Sequence, residues 1–74
     1  MITVTEAQSL KHRDVLENVH KKDSRGNPVR CRVNGKVKLW VTRPGEFKIP
    51  VKYGLYTCFY ITHENAAEWR KAVL

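Results

Sequence analysis

From Val29 to Asn34 apolar and polar residues alternate: Val29, Cys31 and Val33 against Arg30, Arg32 and Asn34. A period of two is that of a strand with one buried face. Asn34-Gly35 follows, the dipeptide that most strongly favours a tight hairpin, and Lys36–Val41 reads as the return strand. A two-residue loop would pair Val33 with Lys36 and Cys31 with Lys38, which brings lysines onto the apolar face. A three-residue loop, or a bulge with the same effect, pairs Val33 with Val37, Cys31 with Leu39 and Val29 with Val41. The spacing therefore predicts the second pairing, with Arg30, Arg32, Lys38 and Trp40 together on the opposite face.

The same alternation recurs at Phe47, Ile49, Val51 and Tyr53, with Lys48, Pro50 and Lys52 between them. This predicts another strand with a basic outer face. Pro50 cannot donate to a ladder, so the strand is expected at an edge or bulged there. Leu55–Ile61 is a further, mostly apolar strand whose inward face the pattern does not decide. Asp23-Ser24-Arg25-Gly26-Asn27-Pro28 and Arg43-Pro44-Gly45-Glu46 are turns by composition. Before them, Asp14–His20 fits a strand or the tail of a helix. Thr5-Glu6-Ala7-Gln8 matches a capping box, which predicts a helical turn near residues 6–10. At the other end Thr62 can cap a helix over Glu64 to Val73. Glu64 and Lys71 suit its dipole, and Ala66, Trp69 and Val73 form a core-facing stripe.

These elements predict a mainly β fold. The first choice is a small SH3-like barrel or half-barrel of four to five short strands with a C-terminal helix. An open antiparallel sheet packed by that helix is the alternative. The organisation expected is one β-rich domain over residues 1–74: an N-terminal segment (1–13), strands (14–62) and the helix (63–73). No internal repeat or linker is visible.

Charge sharpens this picture. The 74 residues carry 14 Lys and Arg against 7 Asp and Glu. Residues 1–19 have a net charge of −1 and residues 54–74 a net of zero. Residues 20–53 hold ten bases against Asp23 and Glu46, a net of +8, so the whole excess lies in the central strands. A field that concentrated attracts a polyanion or an acidic protein surface. No apolar run approaches the roughly 20 residues of a membrane span. Met1–Glu6 lacks a basic region followed by an apolar one, so a cytoplasmic protein is expected, in the host cytoplasm if it is viral.

Chemistry is sparse. His12, His20, His63, Cys31 and Cys58 lack metal-ligand spacing, so neither a metal nor another cofactor is expected. A domain this small has little core to spare for a water-excluding site. Paired carboxylates, a phosphate-cradling glycine loop and a nucleophile elbow are all missing from the motifs. Cys58 could approach His63, but mid-strand it reads as an inert buried thiol, like Cys31. The chain is accordingly expected not to be an enzyme.

The basic outer face is the candidate site. Arg30, Arg32, Lys38 and Trp40 would project from the hairpin and Lys48 and Lys52 from the next strand, with Lys36 and Arg43 near the turns. Cations neutralise phosphates and release counterions, and an aromatic gives a base something to stack on. A non-enzymatic nucleic-acid-binding domain, weakly sequence-selective and favouring DNA, is the first expectation. About five phosphate contacts would give a slope of log affinity against log salt of about −4 to −5 on duplex DNA. The second is a protein-interaction module, such as a phage-encoded modulator docking on an acidic host surface. A structural subunit of a larger assembly, pairing through an exposed edge near Pro50, is the third.

The layout resembles the small, lysine-rich SH3-like chromatin proteins of archaea. Val29–Val41 falls where their binding hairpin would lie. Ile61-Thr62-His63-Glu64-Asn65-Ala66 resembles their junction between the last strand and the helix. The likeness covers about two-thirds of the chain and is one of architecture; the long turn at Asp23–Pro28 departs from it. It implies binding of duplex DNA through a basic sheet face bearing an aromatic. In size and style, as in Arg43-Pro44 through Gly54, the chain is also similar to small phage and prophage proteins.

Overall fold

The computed structural model describes residues 1–40 and 42–72. A short helix, α1 (Val4–Ser9), precedes strands β1 (Val15–Lys22), β2 (Pro28–Val33), β3 (Lys38–Leu39), β4 (Phe47–Tyr53) and β5 (Thr57–Thr62). A 3-10 turn (Ala66–Glu68) then leads into β6 (Trp69–Lys71). All the pairings are antiparallel, in the order β5-β4-β2-β1-β6. The sheet curls into a half-barrel, so rings from its two ends meet: Phe59 of β5 lies 5.8 Å from Trp69 of β6.

Alternation does the sorting. Leu16, Cys31, Val33, Phe47, Ile49, Val51 and Ile61 are buried on the inner side. Ile2, Ala7, Ala66 and Trp69 close over them. The entry to α1 is fixed at Thr3. Its hydroxyl accepts the Glu6 N–H, and the Glu6 carboxylate accepts the Thr3 N–H, each at 3.2 Å. The capping box is thus Thr3–Glu6 and not Thr5–Gln8. Starting there places buried Ile2 just before the cap and buried Ala7 four residues after it, the spacing of a hydrophobic staple.

Asp14–His20 proves to be strand. The hairpin partner of β1 is β2, across the Asp23–Asn27 turn, where the Asp23 carboxylate accepts N–H groups from Arg25 and Asn27.

The Asn34-Gly35 hairpin does not form. Val33 pairs with Val51, Leu39 with Phe47 and Cys31 with Leu16; the expected partner of Val29, Val41, lies outside the described residues. β5 pairs along β4 from Lys48 to Tyr53, so β2 and β3 must share the opposite edge. They are two pieces of one path, running the same way past β4. The break lies at Pro50. Its carbonyl accepts the Asn34 N–H at 2.8 Å, while its ring leaves that edge without the next donor. Gly35, with φ of +129°, lets the backbone pass over the proline; a Cβ there would meet the ring at 3.3 Å. β4 is therefore an interior strand interrupted on one side, not an edge strand.

The expected helix over residues 63–73 is also absent as far as Ala72. Thr62–Asn65 forms a turn in which the Asn65 side chain accepts the Thr62 N–H at 2.8 Å. Ala66 and Trp69 are both buried, as their spacing requires. A step of three, however, is satisfied by one 3-10 turn followed by a strand. Extending the chain lets Trp69, Arg70 and Lys71 pair with Asn18, Glu17 and Leu16 of β1. Val73 lies outside the described residues. No helix among the described residues is long and apolar enough to cross a membrane.

Candidate anion-binding face

Directly paired residues on neighbouring strands point to the same side of a sheet. The register therefore assigns the outer face row by row. Lys38, Lys48 and Thr62 form one row, on β3, β4 and β5. Val15, Arg32, Lys52 and Cys58 form another, on β1, β2, β4 and β5. Arg70, Glu17 and Arg30 form a third, on β6, β1 and β2. Because β2 and β3 lie on one edge of β4, Arg32 and Lys38 share this face although the hairpin meant to unite them is missing.

The rows differ in how their charge is balanced. Among the described residues, Arg32, Lys38, Lys48 and Lys52 take part in no salt bridge. Arg30 does. The Glu17 side chain is almost wholly covered and lies between two arginines, with Arg70 Nε at 2.6 Å and Arg30 Nε at 3.4 Å. The Arg70 hydrogen bond is the main cause holding the Glu17 carboxyl below the usual carboxylate range; the two guanidinium charges add to it, and together they outweigh desolvation. Arg30 is thus partly committed to the fold. Arg43 lies on the turn before β4, 3.6 Å from the Glu46 carboxylate, and Lys36 is exposed on the passage over Pro50.

Two aromatics stand beside these cations. Trp40 is half-buried with Lys38 Nζ 5.3 Å from its ring centre. Tyr60, which the sequence reading did not single out, has Lys48 Nζ at 4.0 Å and is 53% exposed. Its strand is apolar at most positions, so alternation gives no signal for which side Tyr60 takes. Arg70 escaped notice because a helix was expected there.

The cysteines separate by the same parity. Cys31 faces the core and burial pushes its thiol up to about 12. Cys58 faces outward beside Lys52 and is exposed, which corrects the expectation of a second buried thiol. On opposite sides of the sheet the two cannot pair, and both are free. Native protein is expected to take up one equivalent of a maleimide, at Cys58, and a second only after unfolding. Intact mass with and without denaturant checks this.

Glu17 carries a pH dependence. Its folded pKa is depressed, so its contribution to stability is complete above the ordinary carboxylate pKa and is lost as pH falls through the folded value. The thermal midpoint is expected to fall on acidification below that range, and Glu17→Gln to be less stable at neutral pH with a flatter acid limb. Midpoints of both proteins between pH 2 and pH 7, roughly the span of carboxylate titration, provide the comparison.

No family model, no curated protein and no solved structure matches this chain.

Proposed function

We propose that this protein is a non-enzymatic nucleic-acid-binding domain whose outer sheet face tracks the phosphate backbone. One observation carries the reading. Arg32 lies directly opposite Lys52, and Lys38 directly opposite Lys48, with no salt bridge to any of them among the described residues. Like charges directly opposed across strands destabilise a sheet. A face with no anionic partner would relieve that repulsion by mixing signs; a face that meets phosphates needs it. Arg32, Lys38, Lys48 and Lys52 supply the charge, Arg30 adds what Glu17 leaves free, and Trp40 and Tyr60 offer rings to bases or sugars. Lys36 and Arg43 flank the face and contribute to the general field.

On this reading the half-barrel is SH3-like, as the likeness to archaeal chromatin proteins implies, but it closes with β6 and not with a helix. The setting is the cytoplasm, that of a host if the protein is a phage product. Electrophoretic shifts with single- and double-stranded DNA and RNA at two salt concentrations test the reading. Binding that weakens with salt is expected, and an absence of binding in all four series rejects it.

A protein partner is the second reading. It is favoured by Tyr53, Leu55 and Tyr56, which are exposed at the turn between β4 and β5 next to Lys52. Interfaces are enriched in such aromatics. Trp40→Ala separates the two: lost DNA binding favours nucleic acid, and retained DNA binding with a lost acidic partner favours protein. The edge near Pro50 that a structural subunit would use is partly covered: β5 pairs along one side of β4, and on the other the Pro50 carbonyl accepts the Asn34 N–H.

A further inference from the structure

Beside the Arg32–Lys52 row the outer face sinks into a groove of about 780 Å³. That lies within the range of small-ligand sites. Its walls carry Arg13, Arg30, Arg32 and Lys52, with Asn34 and Leu55, and no carboxylate side chain is among the described residues that line it. Asp14, next in sequence to Arg13, does not line it; its carboxylate accepts the Lys11 N–H at 2.8 Å.

Arg13 is the odd member. Asp14 N–H donates to the Lys11 carbonyl at 3.0 Å, which makes Arg13 the third residue of a four-residue turn. Its φ is +76°, the only positive value at a described residue other than glycine. That turn position favours glycine or asparagine when φ is positive. The strained backbone is held by its N–H, which donates to the Val33 carbonyl at 2.7 Å at the end of β2. An arginine thus stands where glycine would be relaxed, on the wall of a cationic groove.

We propose that this groove is a binding site for a phosphate group with more than one negative charge, a phosphomonoester or a polyphosphate. Glu17 partly balances Arg30, but Arg13, Arg32 and Lys52 take part in no salt bridge among the described residues; gathered around one concavity they repel one another, and a monoanionic phosphodiester leaves most of that repulsion in place. A dianion or trianion relieves it, and guanidinium groups present paired N–H donors matched to phosphoryl oxygens. The group can arrive on a free nucleotide or on the phosphorylated end of a nucleic-acid strand. The site shares Arg32 and Lys52 with the face but does not depend on the face binding nucleic acid.

Amide chemical shifts of the full chain, titrated with inorganic pyrophosphate, test it. The signals of residues 13, 32, 34, 52, 54 and 55 are expected to move together and saturate, with an affinity at least about tenfold above that for diethyl phosphate. Arg13→Gly keeps the turn and removes the cation. Its Kd for pyrophosphate is expected to rise about tenfold while the thermal midpoint stays level or rises. Lys21→Ala, at the exposed end of β1, is expected to change neither. Two further arms identify the source. ADP binding like pyrophosphate points to a free nucleotide; a 5′-phosphate that strengthens binding of an oligonucleotide over its 5′-hydroxyl form points to a strand end. Pyrophosphate binding without any oligonucleotide binding would retain the groove and reject the face. Small unsaturable shifts spread over Arg25, Lys38 and Lys48, equal affinity for pyrophosphate and diethyl phosphate, or unchanged binding by Arg13→Gly would each overturn the site.

Discussion

Ile49→Ala is expected to remove about 2–5 kcal/mol of stability, the range for truncating a buried isoleucine. Ile49 sits in the middle of β4, fully buried, and faces Ile61, also fully buried, across the pairing with β5. β4 is the strand on which β2, β3 and β5 all converge, so a void there cannot be filled by moving one neighbour without disturbing the others. At about 0.05–0.15 kcal/mol per residue, a chain of 74 residues has roughly 4–11 kcal/mol in total. The loss is thus a large share of the whole and amounts to roughly 10–30 °C in the thermal midpoint. Ile49→Val is expected to cost only about 0.5–1.5 kcal/mol. Urea denaturation of the two variants beside the parent checks the ratio. A loss below about 1 kcal/mol for the alanine variant would mean that β4 is not the centre of the core.

The outer face is expected to behave in the opposite sense. Reversing both charges of one row, Arg32→Glu with Lys52→Glu, should weaken nucleic-acid binding by roughly a hundredfold or more at low salt and flatten its salt dependence by about two phosphate contacts. Stability should hardly move, because one opposed like-charge pair is exchanged for another. The single change Lys52→Glu separates the two effects more sharply. It sets a carboxylate opposite Arg32 and should stabilise the sheet by about 0.2–1 kcal/mol while weakening binding. Arg25→Glu, on the turn between β1 and β2, controls for net charge. Filter binding and thermal melts on the same preparations read both sides. Equal losses of affinity from Arg25→Glu and Lys52→Glu would mean that total charge, not its placement, drives the association.

How much of this was legible in the sequence follows from where each signal originates. Alternation along Phe47–Tyr53 located β4 to the residue, because one buried face imposes its own period. The turn at Asp23 was legible because its hydrogen bonds are made within five residues. Asn34-Gly35 misled because the hairpin preference is local, whereas the partner that matters, Pro50, is remote in sequence and occupies the path over which Gly35 bends. The C-terminal segment misled because Ala66 and Trp69 satisfy a helical step and a 3-10 turn equally well; only pairing with β1 decides between them. The cationic face survived both errors. Side-chain parity along β2 and β3 depends on pairing with a common strand, and β4 supplies that strand where a hairpin was expected. Glu17 was not foreseen as the partner of Arg30 because Asp14–His20 fitted a strand or a helix tail; the contact follows from the direct pairing of the two residues across β1 and β2, and β6 adds Arg70 to the same carboxylate.

The salt dependence of binding tests the central proposal most directly. Four cations with no salt bridge among the described residues, contacting four phosphates, correspond to a slope of log affinity against log salt of about −3.6 on duplex DNA and about −2.8 on a single strand. The expected result is a linear plot near one of those values, with Arg32→Glu/Lys52→Glu shallower by about 1.8 units on duplex DNA or about 1.4 on a single strand. An affinity that does not change with salt, or a parent and double variant with the same slope, would contradict it.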